Sequence, residues 1–104
     1  MRELQARIAQ TADRLGLHAT APVLTLGLLT DLGRLADEAL AGTSFGRRPF
    51  RPTDGWTQRL ADVAFTVINL ADQSGIDLEA ALHSALTRYE SSAVGAAPAD
   101  DLPF

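Results

Sequence analysis

PVLTLGLLTDLGRLADEALA, residues 22–41, carries apolar side chains three or four positions apart along its whole length, with no proline after Pro22. That spacing is the period of an α-helix and not the two-residue alternation of a strand. Pro22, following Thr20, suits a first helical turn, and Gly42 suits the end, so the segment predicts one long helix from about Pro22 to Ala41. Two charged residues stand in its apolar middle, Asp31 and Arg34, three apart and therefore on neighbouring parts of one face.

A second such stretch lies downstream. From an N-cap at Thr53 or Asp54 the pattern continues through Trp56, Leu60, Val63, Val67 and Leu70 to about Ser74, where Gly75 stops it. It carries its own charged pair, Arg59 and Asp62, again three apart, and both pairs are expected to point into one interior. Before the long helix, Leu4, Ile8, Ala12 and Leu15 predict a helix over residues 2–15 ending at Gly16; after the second stretch, Asp77 caps a last helix over about residues 78–91. GTSFGRRPFRP, residues 42–52, reads as a loop, and residues 93–104 read as a frayed tail. The expectation is an all-α, four-helix domain over residues 1–92 with a flexible C-terminal tail, 93–104.

The two central helices are apolar on more than one side. Leu24, Leu28 and Leu35 share one side of the long helix, while Leu26, Leu29 and Leu40 spread round from it; Phe65, Val67, Ile68 and Leu70 do the same on the next. A single 104-residue chain is near the size at which a partner often completes the core, so a homodimer or higher homo-oligomer is expected, a two-fold dimer being the commonest closed form.

Composition removes several function classes. There is no cysteine, which excludes disulfides and cysteine-based zinc sites, and no stretch is long and apolar enough to span a bilayer. The opening MRELQARIAQTADRLG is charged and periodic, unlike a signal peptide, which reads as cytoplasmic. A net charge of −4 argues against general nucleic-acid binding. No serine–histidine–acid arrangement and no P-loop glycine pattern occurs.

LLTDLGRLADEAL, residues 28–40, resembles the first motif of the MazG-like all-α nucleoside triphosphate pyrophosphohydrolases, which read E-E-x-G-E-L-A-E-A there. QRLADVAFTVINLADQSGIDLEAAL, residues 58–82, resembles the second, E-E-x-x-D-V-L-x-x-L-x-x-L-A-x-x-x-G-I-D-L-E-x-A-L, so the likeness covers roughly residues 3–90. It implies a four-helix fold and cleavage of a nucleoside triphosphate to monophosphate and pyrophosphate. It also implies magnesium held by E-x-x-E on one helix and E-x-x-D on the next. Magnesium takes hard oxygen ligands and keeps several waters, which is why carboxylates on adjacent helices suit it.

Carried over by position, the motif falls on Asp31, Arg34, Arg59 and Asp62. Asp62 is unchanged and Asp31 keeps its charge on a shorter stem, but Arg34 and Arg59 reverse theirs, and a guanidinium has no lone pair to offer a metal. Two unit charges about 4 Å apart interact by roughly 4 kcal/mol at an effective dielectric near 20, so two cations in the ring oppose a divalent ion. The resemblance therefore implies a degenerate, charge-neutralised pocket, with enzymatic activity uncertain and no cofactor needed.

Three readings stay open: a salt-bridge cluster of the four charged residues closing a dead pocket, direct capture of triphosphate phosphates by the arginines, or a surviving magnesium enzyme. In the last, Asp31 and Asp62 would be metal ligands, with Glu38 and Asn69 as auxiliary oxygen donors one or two turns away. A non-enzymatic protein-interaction module is the alternative of another class.

Other residues invite plainer accounts. Arg47, Arg48 and Arg51, among Phe45 and Phe50, could clamp phosphates or face a nucleic acid or partner, though a solvated loop is the simpler reading; Trp56 could stack on a base, but burial against that loop or a neighbouring subunit is the plainer account. Arg88, beside Tyr89, is an auxiliary phosphate candidate or a solvated arginine, and His18 and His83 lack metal-ligand spacing.

Overall fold

The computed structural model describes residues 1–17 and 19–94, and among them there are four helices and no strand. They are α1 (Arg2–Arg14), α2 (Ala21–Gly42), α3 (Trp56–Gln73) and α4 (Leu78–Val94). Local punctuation explains the breaks. Gly16 and Gly75 take the left-handed backbone, φ 67 and 69°, that closes α1 and α3 at little steric cost. Thr20 precedes α2 in extended conformation with Pro22 in the first turn. Asp77 accepts the Ala80 N–H at 3.2 Å and so caps α4.

α2 and α3 form an antiparallel hairpin, the most extensive contact of the fold, and α1 packs against α3. Leu24, Leu28, Leu35 and Ala39 turn toward this interior, while the α3 core centres on Ile68 and Ala71, closed from α1 by Ala12. The start of α1 is tied to the α3–α4 turn through polar groups. Gln5 donates to the Ile76 carbonyl at 2.8 Å and accepts from the Leu78 N–H at 3.1 Å, and Arg2 pairs with Asp77 at 2.9 Å. α4 rests chiefly on α1.

Several expectations need correction. Leu4 and Leu15 were expected on the packed face of α1, but both are exposed; Ile8 and Ala12 carry the contact, because α1 meets α3 along a narrower strip than its apolar stripe. Neither Thr53 nor Asp54 caps α3. Gly55 is the N-cap residue, in helical conformation and without a side-chain bond, because the Thr53 hydroxyl is turned to Glu38 instead. α4 extends to Val94, so the expected tail boundary at residue 93 falls inside a helix, and the rest of that tail lies outside the described residues, as does His18.

The link between α2 and α3 folds back tightly on the helix it leaves. Ser44 and Phe45 adopt positive φ, 50 and 59°, followed by Gly46, and the Arg51 N–H returns to the Gly42 carbonyl at 2.9 Å. A Cβ on Gly42 would come within 2.7 Å of both the Arg51 carbonyl oxygen and the Phe50 ring, so this position excludes larger residues. Phe50 in turn meets Trp56 edge-on, ring centres 5.0 Å apart, which places Trp56 against the loop as expected.

Candidate functional site

The polar residues of α3 recur at steps of three and four: Arg59, Asp62, Thr66, Asn69 and Gln73. That period keeps them on one side of the helix, and the row runs from α2 at Thr66 to a hollow beside α1 at Gln73. At the α2 end of the row, that helix presents Asp31 and Glu38 among its leucines. One bond fixes the register: the Thr66 hydroxyl donates to Asp31 Oδ2 at 2.6 Å. Thr66 was not singled out from the sequence; its place one turn after Asp62, facing an acid on the neighbouring helix, was the available signal.

The four motif positions come to the same region but not into one cluster. Asp31 is half-buried and committed to Thr66. Asp62 pairs with Arg59 at 3.8 Å within α3, both partly exposed. Arg34 is exposed, one turn along α2 from Asp31, and is in no ion pair among the described residues. In place of the four-residue salt-bridge cluster, one of the three readings of the sequence, there are an intrahelical pair and a separate hydrogen bond. An i,i+3 pair needs no partner helix, and Arg34 reaches solvent because its step of three carries it off the packed side of α2.

Glu38 serves the scaffold. It accepts the Thr53 hydroxyl at 2.8 Å, and its carboxylate lies so close to Gly55 that a Cβ there would collide with it. An acid from α2 thus stands at the N-terminus of α3, where the helix dipole favours negative charge. Seven residues of helix, about 10 Å, separate it from Asp31. Among the described residues no three acids or histidines are grouped to hold a metal ion, so Asp31, Glu38 and Asp62 do not assemble the auxiliary site considered from the sequence.

Asn69 is 2% exposed and its Oδ1 accepts no hydrogen bond among the described residues. Arg88 lies on α4, away from the α2–α3 hairpin, its guanidinium 5.8 Å from the Tyr89 ring centre. Arg47, Arg48 and Arg51 are exposed in the loop; Arg48 bonds Ser44 Oγ at 2.8 Å, and His83 is likewise exposed. A hollow of about 240 Å³ lined by Arg2, Gln5, Ala6, Asp72 and Asp77 lies beside α1, with more acid than base in its wall, which does not suit a polyphosphate.

The chain matches no known family model, no curated protein and no solved structure. No helix among the described residues is long and apolar enough to cross a membrane.

Proposed function

We propose that this chain is a MazG-like protein that has exchanged metal-dependent hydrolysis for direct binding of a nucleoside triphosphate along the α2–α3 seam. One observation carries the reading: both acids of the motif have partners, Asp31 in Thr66 and Asp62 in Arg59, whereas the Arg34 guanidinium is exposed and unpaired among the described residues. The group left free to meet a ligand is thus a cation. A guanidinium matches phosphate oxygens with paired N–H donors and stays charged at any working pH. Arg59 adds a second such group once a phosphate competes for it with Asp62, an exchange made easy by the partial exposure of that pair.

Ligand linkage supplies the test, since anything that binds the folded state alone raises the melting temperature. With a chelator present, a panel of ribo- and deoxynucleoside triphosphates should include at least one that stabilises the chain, and Arg34→Ala or Arg59→Ala should abolish the shift. Pyrophosphate release with magnesium or manganese should stay at background. Turnover that Asp62→Ala removes would overturn the reading in favour of an active enzyme.

A second reading, a silent scaffold that binds another protein, is favoured by the many large apolar side chains left exposed, among them Leu26, Leu29 and Phe45. It leads if no triphosphate stabilises the chain.

A further inference from the structure

Residues 39–53, ALAGTSFGRRPFRPT, contain no acid and hold Arg47, Arg48 and Arg51 of the chain's nine arginines. All thirteen acids stand elsewhere, so the net charge of −4 conceals one positive end, the link between α2 and α3. That link is held in shape by its own backbone. The Phe45 N–H returns to the Leu40 carbonyl at 2.8 Å, and the Arg47 and Arg48 N–H groups both reach the Thr43 carbonyl, at 2.8 and 3.0 Å. The Gly46 N–H donates to the Thr43 hydroxyl at 2.9 Å.

On this frame Phe45 sits at φ 59°, in the left-handed region that a bulky residue takes only when its surroundings impose it and that glycine would take freely. Packing does not repay the strain. Phe45 is 75% exposed, the most exposed large apolar side chain among the described residues, whereas Phe50 of the same loop rests on Trp56. Guanidiniums surround it. Arg48 donates its Nε to Ser44 Oγ at 2.8 Å, which holds its charge beside the residue that carries the ring, and none of the three arginines is in an ion pair among the described residues.

We infer that this loop is a docking surface for single-stranded nucleic acid, with Phe45 stacked on an unpaired base and Arg47, Arg48 and Arg51 on the flanking phosphates. A free-standing ring matches the flat face that every base offers, and planar guanidiniums match phosphate oxygens, so the surface needs no particular sequence. Two other anionic partners fit less well. A bilayer calls for a broad apolar face beside the basic residues, and its anionic surface would repel the acid-rich remainder of the chain. An acidic peptide would answer the arginines but gives no reason for a ring held out in water. Neither Arg34 nor Arg59 takes part, so this surface is independent of the triphosphate seam.

Fluorescence anisotropy of short labelled oligouridylate and oligothymidylate, titrated with the full chain at about 50 mM salt, tests it. Binding should be modest, with a dissociation constant on the order of 10–100 μM, and log K should fall against log salt with a slope of about −2, roughly 0.7 for each of three phosphates. Arg47→Ala combined with Arg51→Ala should flatten the slope to about −0.7. Phe45→Gly should weaken binding about tenfold or more while raising the melting temperature, a split that a merely structural ring would not produce. A duplex of the same length should bind less tightly, because its bases are already stacked. Arg34→Ala should leave oligonucleotide binding unchanged, which separates this result from the fate of the triphosphate reading. No binding up to about 100 μM, a Phe45→Gly chain that binds as the natural one does, or a preference for duplex would overturn the inference. Affinity for polyglutamate or for phosphatidylserine vesicles without affinity for either oligonucleotide would overturn it too, and would assign the loop to an acidic protein or to a membrane.

Discussion

The Thr66 hydroxyl bonds Asp31 Oδ2 at 2.6 Å, which makes a threonine on α3 the partner of the first motif acid on α2. The bond is part-buried and spans 35 residues of sequence, so it fixes how the two central helices register. Thr66→Val keeps the shape and removes the donor, leaving a half-buried carboxylate short of a partner. The expected loss is about 1.5–3 kcal/mol of unfolding free energy in urea titration, as for other hydrogen bonds to charged groups. Asp31→Asn, which still accepts from Thr66, should lose less.

Gly55 and Glu38 are coupled by close approach rather than by a bond. Gly55→Ala places a Cβ against the carboxylate, which must swing aside and release the Thr53 hydroxyl, so the expected loss is about 1 kcal/mol, that of one hydrogen bond. Glu38→Ala alone gives up the Thr53 bond and the favourable charge at the start of α3. In the double variant the collision is gone, so the two losses should fall short of additive in a thermal-denaturation cycle. Full additivity would show that the carboxylate does not constrain residue 55.

Asn69 offers a contrary sign. A buried amide oxygen without a partner costs roughly 1–3 kcal/mol, so Asn69→Leu, similar in shape and wholly apolar, should leave stability unchanged or raise it by about 1 kcal/mol. A marked loss of stability would show that the amide has a partner essential to folding. Loss of triphosphate-dependent stabilisation in an otherwise stable variant would place Asn69 in the binding seam.

Asp77 contributes to the acid response. Its carboxyl is held below the ordinary 3.8 by the Ala80 N–H, against a smaller opposing effect of burial, with help from the Arg2 guanidinium and the Glu79 N–H. Because the folded state binds the proton less readily, this group's contribution is fully present above 3.8 and is lost as the pH falls through its lower folded value. Asp77→Asn still caps α4 but cannot titrate, so its acid-unfolding curve should be flatter below pH 3.8 than that of the natural chain. Identical curves would remove Asp77 from the acid response.

The order of the helices, both ends of α2 and the end of α3 were legible in the sequence because their signals are local. The expected residues 22–41 became Ala21–Gly42, and the expected stop at Gly75 fell one residue after the C-cap, since backbone sterics and cap chemistry act within a turn. The two-sided leucine pattern of α2 was equally legible, because periodicity reports which side chains share a face. What periodicity cannot report is where a neighbouring helix lies. Only the packing of α3 decided that Asp31 meets Thr66, that Arg34 reaches solvent from the same helix, that Glu38 occupies the threonine expected to cap α3, and that Leu4 and Leu15 stay uncovered. Those outcomes depend on contacts between residues distant in sequence, fixed by the angle and register of packed helices.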